Sequence, residues 1–189
     1  MPMTETELKL QDAGTQMRIA IANSGDELIF RSCINAYVAL ARSVTMVMER
    51  ESGEAALKQW YKASALQLGQ SPVFKFFNSQ RVYSIHKGVV TPKSSTFQTE
   101  EVSFWYEQSA AGKKTLVGTI TIPGDPLPFH PYDIVSVDCS GEVMVWQFDN
   151  IREFMPDDSG NVLRLCESYF VGLKWLVQEW VKRRQSPMQ

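Results

Sequence analysis

The chain of 189 residues holds two histidines, His86 and His130, and this scarcity narrows the chemistry it can perform. His86 closes the run Arg81-Val82-Tyr83-Ser84-Ile85-His86. A guanidinium is a permanently charged, planar fork of donors matched to a phosphate. An imidazole titrating near neutrality can take a proton from a ribose hydroxyl or give one to a leaving oxygen. Together they can cleave RNA through its own 2′-OH without a metal, by stabilising charge on the phosphate as it develops. Tyr83 and Ser84 lie inside the motif and can add hydrogen bonds to a phosphate, and Asn78, one helical turn before Arg81, can orient it. The plainer reading of the same residues is structural. Arg81 pairs with an acidic side chain, and His86 donates to helix-end carbonyls at the negative end of the dipole.

Other constellations carry less. His130 lies in Pro128-Phe129-His130-Pro131, with Asp133 and Cys139 downstream. A metal site there would lack a second histidine, and the chain has no Cys-x-x-Cys, so a rigid loop is the better account and no metal or cofactor is expected. No Gly-x-Ser-x-Gly turn supports serine–histidine–acid catalysis. Neither common type of phosphate-cradling glycine loop is present. Arg42, among Ala41, Ser43 and Val44, reads as a partly buried salt-bridge partner before a ligand contact. Phe104, Trp105, Tyr106, Trp146 and Phe148 could stack on bases, but alternation sends them to both faces of a sheet, which favours packing.

The elements that must position these groups follow from periodicity. Residues 1–23 are mostly polar, and their one apolar stretch, from Ile19 to Ala22, is an edge strand or nothing. Ser24 and Glu27 have the spacing of a capping box. Behind them Phe30, Ile34, Tyr37, Ala41, Val44 and Met48 form one helical face through about residue 51. Ser52-Gly53 breaks it, and a second helix over 54–68 presents Leu57, Trp60, Tyr61 and Leu68. The short connection makes these two antiparallel neighbours. Gly69 ends that helix, Ser71 and Pro72 begin the next, and the third helix runs over 73–86, burying Val73, Phe76, Phe77 and Val82. Gly88, Val89-Val90 and Pro92 stop it.

From Thr96 the period becomes two. Strands are expected over 102–107, 116–122, 134–137 and 142–148, with turns at Ala111-Gly112-Lys113 and Ser140-Gly141 and a proline-rich loop over 124–131. A last helix over 162–184 carries the stripe Val162, Leu165, Tyr169, Leu173, Leu176 and Trp180. Its Lys182, Arg183 and Arg184 suit a solvated C-terminal end better than a nucleic-acid patch. The fold class is therefore α+β, in one domain over 1–189. An antiparallel bundle of about four helices (24–90 and 160–185) takes an inserted antiparallel β-sheet of three to four strands (96–150) before the last helix.

A helical bundle whose third helix ends in Arg-x4-His resembles the HEPN superfamily of nucleotide-binding domains and metal-independent ribonucleases. The resemblance covers the helical parts and rests on Arg81, His86 and their place in the helix order. It implies RNA or nucleotide as partner, an endoribonuclease or RNA-binding role such as that of a toxin or defence effector, and a homodimer whose two motifs face each other. Val82 stands where catalytic members usually carry a polar residue, a departure that bears on nuclease activity rather than on the fold. On a regular helix, five residues at about 100° each set the two side chains about 140° apart. They converge only if the helix unwinds near Ile85 or a second subunit supplies the partner. The alternative function is a non-catalytic interaction or scaffold module that binds a protein through the β insertion.

Composition sets the outer bounds. Hydrophobic residues make up 44% and charged residues 21%, which excludes wholesale disorder, collagen-like repeats and coiled-coil rods. A net charge of −2 argues against tight binding to bulk nucleic acid while permitting a local basic pocket. Three widely spaced cysteines make a disulfide framework improbable and a reducing, cytoplasmic setting the expectation. The opening Met-Pro-Met-Thr-Glu-Thr-Glu has no apolar run, unlike a secretory signal, and no stretch is apolar enough to span a membrane.

Overall fold

Helix formation begins earlier than the sequence pattern suggests. The computed structural model describes residues 2–98, 101–108, 114–121, 136–137, 142–158 and 160–185. Five α-helices, rather than about four, account for most of them: α1 (Glu5–Ala22), α2 (Glu27–Glu51), α3 (Ala55–Leu68), α4 (Pro72–His86) and α5 (Val162–Gln185). The segment expected to be an edge strand or nothing is α1. Thr4 and Glu7 start it with a reciprocal capping box. The face it buries is made of small residues, Thr6, Ala13 and Ala20, so the helix lies close against its neighbours without a large apolar stripe. At Gly14 an added Cβ would come within 2.9 Å of the Phe170 ring of α5.

The far end of α2 completes the near end of α1. Glu51 accepts from the amides of Glu5 (3.2 Å) and Thr6 (3.1 Å) and from the Thr6 hydroxyl (2.6 Å), and Arg50 pairs with Glu5. These are donors that a helix start leaves unmatched. Burial raises the Glu51 pKa, but the Thr6 and Glu5 hydrogen bonds and the Arg184 charge outweigh it, and the carboxyl titrates below its ordinary 4.5. A depressed folded-state pKa contributes stability above the ordinary glutamate range and loses it as pH falls through the folded-state value. Glu51→Gln is therefore expected to cost about 1 kcal/mol at neutral pH, the scale of a partly exposed helix cap. Urea unfolding should show this difference constant between about pH 6 and 8 and shrinking towards pH 3. An equal difference at pH 7 and pH 3 would refute the assignment.

The predicted face of α2, from Phe30 to Met48, is buried throughout, as is the predicted stripe of α5, from Val162 to Trp180. The start of α2 differs from expectation. Asp26, not Ser24, caps it by accepting from the Ile29 amide at 3.0 Å. Ser24 instead offers its carbonyl to the indole N–H of Trp146 at 2.7 Å. Two buried clusters result. One joins α1, α2, α4 and α5 to the β segment, and the other joins α2, α3 and α5 around Trp180, whose indole donates to Ser52 Oγ at 2.8 Å. The basic end of α5 is tied to aromatic faces: Arg183 lies over Trp60 and Arg184 over Trp180.

The β insertion forms two sheets among the described residues rather than one of three to four strands. Strands β1 (Lys93–Gln98), β5 (Glu142–Gln147) and β4 (Ser136–Val137) make a three-stranded antiparallel sheet in the order β1-β5-β4. Strands β2 (Glu101–Gln108) and β3 (Lys114–Thr121) pair antiparallel as a separate hairpin. Strand β1 has no counterpart in the sequence reading. It pairs with β5 along its whole length, from Lys93 opposite Gln147 to Gln98 opposite Glu142. Asn35 of α2 fixes the chain just before it, donating to the Val90 carbonyl and accepting from the Val90 amide. A 3-10 turn (Asp149–Glu153) leads from β5 towards α5.

Candidate functional site

The helix that carries the motif is the fourth of the bundle, and it is regular to its end. Pro72 occupies its first turn, where its missing N–H needs no partner. Its inner face is Phe76, Phe77 and Gln80, all buried, with Val73 half-buried. Val82, expected in the core, is 46% exposed. Gln80 takes the inward position because it lies four residues after Phe76 and three after Phe77. The helix runs through His86 and stops where Gly88 adopts φ 148°, a conformation that L side chains rarely take. No unwinding occurs near Ile85, so positions 81 and 86 lie about 140° apart around the axis.

Helix geometry therefore sorts the predicted site residues onto two sides of α4. Arg81 and Asn78 share one side, three residues apart; position 86 falls with Tyr83 on the other. Asn78 is exposed and Arg81 half-buried. No carboxylate lies within ion-pair distance of Arg81 among the described residues, so the simple structural reading, an Arg81 salt bridge, finds no partner there. Ser84 donates its hydroxyl proton to the Arg81 carbonyl at 2.8 Å, which commits that donor to the helix backbone rather than to a phosphate. Tyr83 is 44% exposed.

Each side faces a cavity. Tyr83 borders one of about 220 Å³, together with Gln80, Lys93, Phe148 and Asn150. Gln80 is 4% exposed, and its Nε2 is buried without a hydrogen-bond partner among the described residues. Asn78 borders another of about 180 Å³, between α2, α3, α4 and α5, with Arg42, Lys75, Tyr61, Phe74 and Tyr169. Arg42 is half-buried and forms no ion pair among the described residues, contrary to the salt bridge expected from the sequence. It donates instead to the Thr45 hydroxyl at 2.8 Å.

The electrostatics of this second cavity follow from burial. Tyr169 is stacked on Phe77 with ring centroids 4.6 Å apart. Burial pushes its phenol up to about 12, opposed by the charges of Arg42 and Arg81 and supported by Tyr61. Both guanidinium charges thus act on the same phenol. Burial also raises Tyr61, aided by Glu49 and opposed by Arg42 and by its hydrogen bond with Thr45. Tyr37, whose hydroxyl donates to the Cys166 carbonyl at 2.6 Å, is pushed well up by burial. Burial likewise raises the Cys166 thiol, and Cys33 and Cys166 are free.

Sequence reasoning missed Gln80 and gave Arg42 the wrong partner. The signal for Gln80 was its i+4 spacing from Phe76, masked by its polarity. His130, Asp133 and Cys139 lie outside the described residues, as do the side chains of His86, Phe104, Trp105 and Tyr106. Among the described residues no group of His, Cys, Asp or Glu could hold a metal ion, and no helix is long and apolar enough to cross a membrane. Comparison with protein-family models, with curated proteins and with solved structures finds no match to this chain.

Proposed function

We propose that this chain is a HEPN-like RNA-binding protein that cleaves RNA without a metal, as a homodimer, through Arg81 and His86. The observation that carries the reading is Arg81. It is a guanidinium with no carboxylate partner among the described residues, beside an exposed Asn78, on the helix whose last residue is His86. Arg81 and Asn78 supply donors to a phosphate, and the imidazole moves the proton of the 2′-OH that attacks it. The angle of about 140° between the two positions makes the productive pair one between subunits, Arg81 of one copy with His86 of another. Val82, Tyr83 and Val89 are exposed apolar or aromatic residues around the motif, and a second copy would cover them.

The test is cleavage of a fluorescent single-stranded RNA in EDTA. The wild-type protein is expected to cut it and to leave the 2′-deoxy analogue intact. Arg81→Ala and His86→Ala should each lower the rate by about 100-fold or more, the scale of a lost acid–base or phosphate contact. Mixing the two inactive variants should restore part of the activity, since a mixed dimer keeps one intact pair. Cleavage that survives both substitutions overturns the catalytic reading. The exposed Val82, Tyr83 and Val89 also favour a second reading, a non-catalytic module that binds a protein through this surface. That reading predicts no RNA binding by titration.

A further inference from the structure

The recess on the His86 side of α4 has a fixed floor and a rim of polar groups that solvent reaches. Its floor is Val90, Phe148 and Gln80, each between 2% and 4% exposed. Asn35 holds both the amide and the carbonyl of Val90, and the Phe148 ring packs against Phe76 and Phe77. Gln80 Nε2 is shut away within that floor and offers nothing to a ligand. The rim differs. Tyr83, Thr91, Asn150 and Lys93 are all exposed, so a molecule entering from solvent meets a phenol ring, a hydroxyl, an amide and an ammonium group. Tyr83 lies on α4, Lys93 begins β1 and Asn150 stands in the 3-10 turn after β5, so three elements converge on one opening. Walls that are already held in place cost little ordering when the recess fills.

Size and chemistry together select the occupant. A cavity of roughly 150 Å³ admits one benzene-sized ring, and this one measures about 220 Å³, in proportion to two fused rings. An exposed aromatic ring above an apolar floor suits a flat base, which stacks on it. An asparagine amide matches the donor and acceptor on the N6/N7 edge of adenine, whereas the same edge of guanine presents two acceptors. The Lys93 charge at the rim favours an attached phosphate. A bare phosphate would leave ring and floor uncovered, and a hydrocarbon would leave the amide and hydroxyl without partners. We infer that this recess seats an adenine base, stacked on Tyr83 with its N6/N7 edge on Asn150. The source of the base rests on the RNA reading: it belongs to the strand whose 2′-OH meets His86, because positions 83 and 86 share a flank of α4. The Tyr83 ring has two faces, so one borders the recess while a second copy covers the other.

The probes are adenosine and guanosine 5′-monophosphate, titrated calorimetrically into the whole protein at fixed ionic strength, and uncleavable 2′-deoxy strands of adenine or of uracil. Adenine is expected to bind about tenfold tighter in each pair, the scale of one good amide–base pairing or one stacked base. Asn150→Ala should bring the two purine nucleotides within about twofold of each other. Tyr83→Ala should weaken adenosine monophosphate by about tenfold, whereas Tyr83→Phe, which keeps the ring, should restore it. Both side chains are exposed, so the melting temperature without ligand should hold in all three variants. No binding of adenosine monophosphate up to about 10 mM, or equal affinity for the two nucleotides, overturns the inference. Cleavage of RNA with no adenine preference between the strands also overturns it, and leaves the RNA reading standing. Adenine preference between the nucleotides with neither strand bound supports the recess as a seat for a free nucleotide and overturns the RNA reading instead.

Discussion

Trp146→Ala is expected to destabilise the protein by about 4 kcal/mol, the upper range for truncating a buried aromatic. Trp146 is 2% exposed, stacks on Phe30 with centroids 4.6 Å apart and planes 16° apart, and donates its indole N–H to the Ser24 carbonyl. It thereby fastens β5 to the corner between α1 and α2. Removing it opens a void against Phe30 and withdraws a buried donor from Ser24. For a chain of this length the melting temperature should fall by about 8–16 °C. Trp146→Phe keeps a ring on Phe30 but not the N–H, so about 1–2 kcal/mol should be lost. A double-mutant cycle with Phe30→Ala should return a coupling of about 1 kcal/mol, the scale of a stacked aromatic pair. A loss below about 1 kcal/mol for Trp146→Ala would mean that β5 does not seat on the bundle here.

That contact also explains why the start of α2 was misread. Ser24 and Asp26 are both capping types, and local spacing favoured the Ser24–Glu27 pair. The partner that engages Ser24 stands on β5, far along the chain, and no local pattern reveals it. The long helices α2 and α5 were legible because large apolar residues recur with the helical period and the structure buries them together. Helix α1 was not, because its buried face is Thr6, Ala13 and Ala20 while Leu8, Ile19 and Ile21 are exposed. Its packing runs on close approach rather than on an apolar stripe. Strand β1, Lys-Ser-Ser-Thr-Phe-Gln, is largely polar, and its pairing with β5 decides its conformation.

The candidate site divides along the same line. That α4 ends at His86 followed from Gly88 and Pro92, and Asn78, Arg81 and Tyr83 reach its solvent-facing or half-buried flanks as their spacing implies. Which flank each faces was a matter of angle, and the unbroken helix sends Asn78 and Tyr83 to different cavities. Arg42 sits three residues before Thr45 between the buried Ala41 and Val44. Its half-burial could be read from those neighbours. Its lack of an acidic partner could not, because that depends on what α3, α4 and α5 bring towards it. Local chemistry was visible in the sequence; the company each group keeps is set by packing between helices.

The turn that launches α5 supplies the second large effect. Gly160 has φ 76°, and a Cβ there would sit 2.8 Å from the Phe148 carbonyl oxygen and 2.9 Å from Ile151 Cγ2. Its own carbonyl accepts from the Phe148 amide at 2.8 Å, and its amide donates to Asp158 at 2.8 Å, so the backbone is held on both sides. Gly160→Ala therefore meets two costs. The left-handed conformation costs an alanine about 1–2 kcal/mol, and the clash falls on backbone that cannot swing away. The sum should reach about 3 kcal/mol, read as a shift of the urea midpoint at unchanged slope. Gly160→Asn relieves part of the first cost but none of the second, so it should recover less than half. Gly25→Ala is the control: nothing lies within 4 Å of a Cβ there and its φ is not positive, so the change should stay within about 0.5 kcal/mol. Because Asn161, the next residue, caps α5 by accepting from the Arg164 amide, a displaced turn also moves the helix that carries Tyr169 into the cavity beside Arg42. Equal stability of the two alanine variants would show that the turn tolerates a side chain and that α5 does not depend on it.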